Sequence, residues 1–359
     1  MVKVIAVHLP QFHEIPENNE WWGKGFTEWT NTKKCKPIFK GHHQPKEPVD
    51  DNYYNLLDKN TLKWQVELAK KYGIYGFCFY HYYFTGKTLL EKPLEIYLAN
   101  KDIDFPFCFS WANHTWTRTW HESKDILIEQ TYGDYKDWQD HFYYLLPFFK
   151  DERYIRIENK PTIIFNQPPA FDKANEMIDC WTDLAKQNGL EGIYFIETLS
   201  IYQTESVLKK SNALMESEPS YTYHFLPYWY RIFRKTVGFA FPSSKPRLNL
   251  YSSFWKVILN RKPIQTDKMV YPGAFVNWDN AARRPVNASI FLFFTSEKFK
   301  KHIKKQIIRC KKVYNSEFLF LNAWNEWAEG NYLEPDKKYG YKLLEAIKEA
   351  LVEAENESV

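Results

Sequence analysis

The stretch EFLFLNAWNEW, residues 317–327, is a short apolar run that ends in polar and aromatic residues. Near-continuous apolar runs are typical of parallel strands that are covered on both faces. Seven similar runs precede it, each bounded by turn residues, and helical patterns separate several of them. These runs cover residues 2–10, 75–83, 105–113, 161–168, 192–199, 212–219 and 269–278.

Strands that alternate with helices eight times predict an α/β fold, a single (β/α)8 TIM barrel over residues 1–359. The alternative is an open, doubly wound sheet, but no Gly-rich phosphate-binding turn follows any predicted strand. Two long insertions, residues 11–58 and 220–265, follow strands one and six. Both should therefore lie at the carboxyl-end face, where the active sites of barrel enzymes form.

The composition narrows the class of partner. Lysine and arginine total 48 against 44 acidic residues, and this balance, a formal charge of +4, gives no reason to expect a nucleic-acid partner. Aromatic residues make up 18% of the chain. Their rings stack on sugars but also fill ordinary cores, so composition favours carbohydrate only weakly.

Cysteine usage and the N-terminal segment bear on the compartment. The five cysteines are scattered, and neither a C-x-x-C spacing nor a histidine cluster indicates a metal site. The first residues contain no apolar signal segment, and no apolar stretch approaches the length of a membrane helix. We therefore expect a cytoplasmic protein that uses no metal and no other cofactor.

Polar or aromatic side chains follow nearly every predicted strand. Because the carboxyl ends of barrel strands meet at one rim, we expect these side chains to converge on one bowl and to bind substrate. Strand ends also meet solvent, so a single polar residue there needs no function. The candidates from the strand ends are His8, His81, Tyr82, Trp111, Asn113, Glu218, Asn277 and Asp279.

The last strand is followed by two carboxylates, Glu326 and Glu329. They can share a pocket only if the chain turns after the strand, and Gly330 makes such a turn easy. Trp324 and Trp327 would raise the pKa of at least one carboxyl by lowering the local dielectric. Glycosidic bond cleavage requires two carboxyls in different environments. The alternative is that both glutamates only hold the loop by salt bridges.

Six stretches resemble known proteins. The segment NEWAEG, residues 325–330, resembles the NEW-x-EG segment of the family-99 glycoside hydrolases, the endo-α-mannosidases and endo-α-mannanases. More of the chain resembles the WbsX-type proteins of bacterial lipopolysaccharide and capsule gene clusters, often described as glycosyltransferases with a family-99-like domain. The stretches cover residues 8–31, 73–95, 111–120, 216–221, 275–285 and 321–335.

This resemblance implies a (β/α)8 barrel and chemistry at an α-linked sugar with retention of configuration. It implies that Glu326 is the general base toward the sugar's own 2-hydroxyl, which attacks the anomeric carbon to form a 1,2-anhydro sugar. It implies that Glu329 is the general acid for the leaving group and then the base for water or an acceptor. Ala328 stands where the hydrolases commonly carry histidine, which leaves the substrate sugar open.

Side chains near these motifs complete the predicted substrate site. Arg118 has the bidentate fork that binds a uronate or a phosphate, or it pairs with a structural carboxylate. For Asp279 and Arg283, after strand seven, the same question is open: each either contacts substrate or pairs with a structural residue of opposite charge. Further substrate contacts are expected from Glu28, Trp29, Trp116, Trp324 and Asn325.

Three functions compete at this stage. The first is a retaining endo-α-glycosidase that acts on a bacterial surface polysaccharide such as O-antigen or capsule. The second is a cytosolic glycosyltransferase or transglycosylase that builds the same polysaccharide, although no D-x-D motif is present. The third is a glycan-binding barrel without catalysis. The expected partner is an oligo- or polysaccharide, free or lipid-linked, and the oligomeric state is left open.

The segment HFLPYWYRIFRKTVGFAF, residues 224–241, mixes aromatic residues with Arg231, Arg234 and Lys235. It is too polar to span a bilayer and unusually apolar for an exposed loop. One interpretation is peripheral contact with the inner face of the membrane, because Tyr and Trp favour the headgroup level. The other is that these rings roof the sugar site.

Overall fold

The barrel strands were located in a computed structural model that describes residues 1–118, 125–168 and 171–357, without the side chain of Lys235. Eight parallel strands follow one another in chain order around one sheet. They are β1 (Lys3–His8), β2 (Gly76–Phe84), β3 (Phe107–Trp111), β4 (Lys160–Phe165), β5 (Tyr194–Leu199), β6 (Ala213–Glu216), β7 (Met269–Tyr271 and Gly273–Phe275) and β8 (Phe318–Asn322).

The sheet closes through β7, which Pro272 divides into two parts. The first part pairs with β6 and the second with β8, while β8 pairs with β1. Proline has no N–H to donate to a ladder, but its carbonyl accepts a hydrogen bond from the Phe320 N–H at 3.2 Å. The carbonyl oxygen of Glu216 lies 1.7 Å from where a Cβ at Gly273 would stand, so only glycine fits. The predicted barrel is confirmed, and the open sheet is excluded.

Helices cover the outside of this sheet. The helix after Asp58 begins where the Asp58 side chain accepts a hydrogen bond from the Asn60 N–H. It ends before Gly73, which has a φ of 83°. Residues 200–212, all described, connect β5 to β6 without a helix. The helices are α1 (Pro16–Trp22), α2 (Glu28–Lys34), α3 (Lys59–Lys71), α4 (Lys92–Ala99), α5 (Tyr135–Phe149), α6 (Ala174–Gln187), α7 (Tyr228–Thr236), α8 (Tyr251–Asn260), α9 (Ser296–Lys312) and α10 (Lys342–Asn356).

Both long insertions are more regular than loops. The first, after β1, contains α1, α2 and a 3-10 turn at Val49–Asp51. The second contains α7 between 3-10 turns at Tyr221–Phe225 and Val237–Ala240. Its last part is α8, whose Phe254, Trp255 and Ile258 are buried against the barrel, so the insertion proper ends earlier than the sequence predicts.

Short strands tie the connections together. Four of them pair within one connection, and Lys87–Leu89 and Arg156–Ile157 pair with the barrel strands β2 and β4. The segments 247–250 and 289–292 pair with each other and join the connections after β6 and β7. None of the helices in the described ranges has the length and apolar character required to cross a bilayer. The remaining strands are Lys87–Leu89, Trp116–Thr117, Ile126–Ile128, Arg156–Ile157, Arg247–Leu250, Ser289–Leu292, Asn325–Glu326 and Asn331–Tyr332, and 3-10 turns lie at Asn280–Ala282 and Trp327–Glu329.

Candidate active site

The segment after β8 forms a tight hairpin that sets Glu326 and Glu329 on one side. Residues Asn325–Glu326 pair antiparallel with Asn331–Tyr332, and a 3-10 turn joins them. Residues three apart in a 3-10 turn eclipse each other, which is why the spacing of three brings both carboxyls to the same pocket. Gly330 closes the turn with a left-handed φ of 57°. A Cβ there would also approach the Asp279 Cβ to 2.9 Å.

The guanidinium of Arg283 forms ion pairs with Glu326, Glu329 and a third glutamate, Glu28. Arg283, in the connection after β7, lies 2.8 Å from Glu326 Oε2 through Nη2 and 2.8 Å from Glu329 Oε1 through Nη1. Its Nη2 also lies 2.8 Å from Oε1 of Glu28, which α2 supplies. Three separate connections therefore contribute to one charged group, which we call the mouth cluster: Glu28, Arg283, Glu326 and Glu329.

The mouth cluster has one positive charge for three carboxyls, and this imbalance determines its protonation. Burial, opposed by Arg283 and assisted by Glu329 and Glu28, raises the pKa of Glu326 to about 8. Burial also raises the pKa of Glu329, again opposed by Arg283. The ligand-free cluster therefore holds a proton at neutral pH, and it can both donate and accept one.

A cavity of about 840 Å³ opens at the mouth cluster. Glu326, Glu329 and Arg283 line it together with Tyr80 and Tyr82 of β2. Burial and the charge of Glu326 raise the pKa of Tyr80 well above its ordinary value, so its hydroxyl stays protonated as a hydrogen-bond donor. Further lining residues are Gln11, Asn18, Trp22, Asn113, His114, Trp116, Gln130, Tyr132, Asn166, Gln167, Tyr202, Trp278, Asn280 and Arg284.

The wall opposite the glutamates is aromatic. Trp116 packs edge-on against Tyr82, with ring centroids 5.1 Å apart, and Trp21 supports it from behind at 6.0 Å. A second cavity of about 530 Å³ is lined by Phe26, Asn31 and other residues of the first insertion. Trp22 lines both cavities, so they adjoin at this side chain.

The two predicted substrate-binding histidines are not placed at the cavity. His8 and His81 are fully buried, and strand alternation turns both rings outward into the layer between sheet and helices. His8 Nε2 bonds Gln65 of α3 at 3.0 Å, and His81 Nε2 bonds His141 of α5 at 2.8 Å. Burial lowers the pKa of each to about 3, so both are neutral packing residues.

Three tryptophans predicted to contact substrate, Trp29, Trp111 and Trp324, do not line the cavity. Trp111 packs on the ring of His141, with centroids 4.8 Å apart, and Trp324 packs on Phe77 at 5.1 Å. Trp29 donates from its indole N–H to the Tyr54 carbonyl at 2.9 Å. These three rings are buried core, and this placement disagrees with their predicted contact with substrate.

Two predicted amide ligands hold the backbone of the mouth. Asn325 accepts from the Leu9 N–H at 2.7 Å and donates to the Leu9 carbonyl at 3.0 Å, which joins β8 to β1. Asn113 lines the cavity and binds both backbone groups of Gln167. Asn277, whose N–H lies 3.4 Å from Asn331 Oδ1, is half-buried beside Trp278, which does reach the cavity.

Two predicted carboxylate ligands are already paired. Asp279 is buried and lies 2.9 Å from His42 Nε2 and 2.7 Å from Gln44 Nε2, with Lys46 at 3.4 Å. Glu218 is buried and pairs with Arg261 at 2.7 Å. Both carboxylates are therefore structural in this arrangement, which disagrees with their predicted contact with substrate.

Arg118 lies at the end of its described segment, beside the aromatic wall. Its Nη1 donates to the Trp21 carbonyl at 2.8 Å, and its guanidinium lies 5.5 Å from the ring centroid of Trp22. It therefore supports the tryptophan that separates the two cavities. The last two residues of the 111–120 motif lie outside the described part of the chain.

Several residues that line the cavity were not predicted from the sequence. Tyr80 was identifiable, because alternation on β2 places it on the same face as Tyr82. The sequence does not identify the ion-pair partners of Arg283, because no local pattern links this residue to α2 or to the segment after β8. Across the described ranges, the structure shows no group of three His, Cys, Asp or Glu side chains arranged to hold a metal ion.

The closed barrel with an acidic mouth places the protein in the (β/α)8 class of folds. The model of the family described as Glycosyltransferase WbsX matches residues 4–347, and the chain belongs to this family. It is 32% identical to the uncharacterized protein WxcX of two strains of Xanthomonas campestris pv. campestris, over 98% of this chain. The alignment covers 50% of WxcX, so the chain spans about half the length of these relatives.

Solved structures show the same fold at low identity. A glycoside hydrolase-like protein superimposes with a TM-score of 0.60 at 13% identity, covering 97% of this chain and 93% of the other. The GH99 endo-alpha-mannosidase from Bacteroides thetaiotaomicron superimposes with a TM-score of 0.55 at 11% identity, covering 99% and 98%.

Proposed function

We propose that the protein cleaves or transfers an α-linked sugar of a bacterial surface polysaccharide, with retention of configuration, through Glu326 and Glu329. One observation carries this proposal: the 3-10 turn after β8 presents both carboxyls to one cavity, where a single arginine spans them. Paired carboxyls at the mouth of a barrel are the groups that glycosidic chemistry uses.

The roles of the two glutamates follow the resemblance to family 99. Glu326 takes the proton of the sugar 2-hydroxyl, and that oxygen attacks the anomeric carbon. Glu329 gives its proton to the departing oxygen, which leaves as an alcohol. The 1,2-anhydro ring then opens when Glu329 takes a proton from water or from an acceptor hydroxyl, while Glu326 returns a proton to the 2-oxygen.

The proton that Glu326 holds at neutral pH must leave it before this cycle begins. In the ligand-free protein Glu326 has the strongly raised pKa, yet it is the proposed base. A sugar hydroxyl that donates a hydrogen bond to Glu326 favours its carboxylate form. Arg283 bonds both glutamates and stays charged, so it fixes their positions while the proton exchanges through solvent in the cavity. Substrate binding would therefore shift the proton to Glu329, the proposed acid.

The two cavities suit a chain of sugars rather than one. Their volumes, about 840 and 530 Å³, adjoin at Trp22, and Trp116, Tyr82 and Trp22 provide aromatic rings for sugar faces. This shape supports an endo-type substrate, an oligo- or polysaccharide that extends on both sides of the glutamates.

Glycosyl transfer is the second candidate, and the description of the family model favours it. The same glutamates would serve, with an acceptor sugar instead of water opening the intermediate. The cytoplasm is the proposed location, and the five cysteines, all free, support a reducing compartment. Assembly of O-antigen or capsule would be the corresponding process.

The test uses surface polysaccharide from the source strain, with and without nucleotide sugars, in water enriched in ¹⁸O. Hydrolysis gives shorter chains with ¹⁸O at the new reducing ends, and transfer gives longer chains without it. Glu326→Gln and Glu329→Gln should each abolish the products, whereas the exposed Glu345→Gln on α10 is the matched control. Binding of the polysaccharide with unchanged chain lengths in every arm would support the non-catalytic barrel and contradict this proposal.

A further inference from the structure

Helix α7, in the insertion after β6, presents its apolar face to solvent. Tyr228 and Trp229 are 79% and 66% exposed, and Ile232 and Phe233, one turn later, are also exposed. Their spacing places all four on one side of the helix. A surface helix of a globular protein normally turns this side toward the core, so α7 is inverted.

The inverted helix is anchored from its other side. Tyr230 is buried, and its hydroxyl accepts from the Leu250 N–H at 2.7 Å. Arg231 donates to the carbonyls of His224 at 2.7 Å and Leu226 at 3.2 Å. Arg234 lies 4.4 Å from the ring centroid of Tyr223. The exposed rings are therefore held outward by specific contacts on the opposite side.

The segment of the chain that contains α7 carries positive charge only. No acidic residue occurs between Glu218 and Asp267, whereas the chain as a whole has 44 acidic residues. Arg231, Lys245 and Arg247 are exposed in this segment. The segment 219–266 is therefore positive, although the chain is nearly balanced, and it complements a negatively charged surface.

The insertion that carries α7 also borders both cavities. His224 bonds the Ser200 carbonyl at 3.1 Å, two residues before Tyr202 of the main cavity lining. After α7, Phe239 is again exposed, and Ser243 and Ser244 line the second cavity. Docking through α7 would therefore bring the insertion that borders both cavities to the docked surface.

We infer that the exposed face of α7, formed by Tyr228, Trp229, Ile232 and Phe233, docks together with Phe239 of the following 3-10 turn on the headgroup layer of an anionic phospholipid bilayer. Tyrosine and tryptophan partition to that layer, where apolar ring edges are buried and polar atoms stay hydrated. The exposed cations bind the anionic headgroups. The inference concerns where the protein works and holds whichever reaction the mouth cluster performs. Docking would hold the cavity at the surface that carries lipid-linked glycans.

The test is flotation with vesicles of phosphatidylglycerol and phosphatidylcholine, compared with phosphatidylcholine alone, at low and high salt. We expect wild type to float with the anionic vesicles at low salt and much less at high salt. Trp229→Ser with Phe233→Ser should reduce the bound fraction at least tenfold. Lys245→Glu with Arg247→Glu should remove the preference for anionic vesicles.

A matched control is Tyr143→Ser, an exposed aromatic residue on α5. It should float like wild type, and thermal melts should show that all variants are folded. Failure of wild type to float with anionic vesicles would overturn the inference, as would equal flotation of the folded double serine variant. A wild type that stays off vesicles but self-associates through α7 would identify a second copy as the occupant instead.

Discussion

Arg283 and Arg261 each bind more than one glutamate, but their surroundings differ. Arg261 lies 2.5 Å from Glu216 and 2.7 Å from Glu218, and all three side chains are almost fully buried. Tyr314 and Thr222 supply further hydrogen bonds, so we call this group the strand-six cluster. Arg283 is 21% exposed, and Glu329, 17% exposed, faces the open cavity with it.

The two clusters contain the same charged residue types, but they differ in the number of carboxyls and in their access to a cavity. The strand-six cluster has two carboxylates for one arginine, and Tyr314 and Thr222 hold it closed, so it connects β6 with the chain after α8 and α9. The mouth cluster has three carboxyls for one arginine, and its excess of acid is open to a ligand. Access to a cavity, rather than residue type, separates the strand-six cluster from the mouth cluster, for which we propose a catalytic role.

The largest expected effect concerns Glu329→Gln, which removes the proposed general acid. Catalysis should fall by roughly 10²–10⁴-fold, with the fold retained. The loss should shrink on a substrate with an activated leaving group, because that group departs without a proton. Rates on both substrates decide the role, and equal losses would assign Glu329 to binding. The comparison variant Glu218→Gln in the strand-six cluster should spare the chemical step.

Replacing the arginines should separate stability from activity. Arg261→Met leaves Glu216 and Glu218 buried and unpaired, which should cost about 3–5 kcal/mol in the free energy of unfolding. Arg283→Met should cost less, because the cavity lets water reach Glu326 and Glu329, but it should lose most activity. Denaturant titration and assays on both variants check this. If Arg283→Met proved less stable than Arg261→Met, the proposed distinction between the two clusters would be wrong.

Glu28→Gln should move the pH profile. The charge of Glu28 raises the pKa of Glu326 and Glu329, so its removal lowers both. Since the base must be ionised, the acid limb of kcat/KM should move to lower pH by about one pH unit. The profile of the control Glu345→Gln, an exposed residue on α10 that does not line the cavity, should match wild type. A shift to higher pH would contradict the proposed electrostatics.

The smallest expected effect is on thermal stability. The folded protein raises the pKa of Glu326 from 4.5 to about 8, so its protonated form contributes stability at low pH that is lost as pH rises through this window. Glu326→Gln does not titrate there. Its Tm should therefore exceed that of wild type by about 2 °C or more at pH 9 and by less at pH 5. A difference that shrinks with rising pH would show that burial of Glu326 is not the cause.

The sequence by itself determined the barrel and the pair of glutamates. Apolar runs and helix signals are local, so β2, α3 and α9 were all recognisable from pattern and from residues such as Gly73. The hairpin after β8 is local as well, because the spacing of three and Gly330 together specify the turn. The position of Tyr82, Asn113 and Trp116 at the cavity was predictable, because they lie at or just after the carboxyl ends of barrel strands, which converge.

Tertiary structure decided which polar groups reach the cavity. A strand end is polar on either face, and only the register of the closed sheet turned Tyr80 inward and His8, His81 and Trp111 outward. The mouth cluster needed packing of α2 and of the connection after β7 against β8, because Glu28, Arg283 and Glu326 are far apart in sequence. Likewise, the composition of α7 was visible in the sequence. Its outward direction came from the tertiary contacts of Tyr230 and Arg234, which no local pattern encodes.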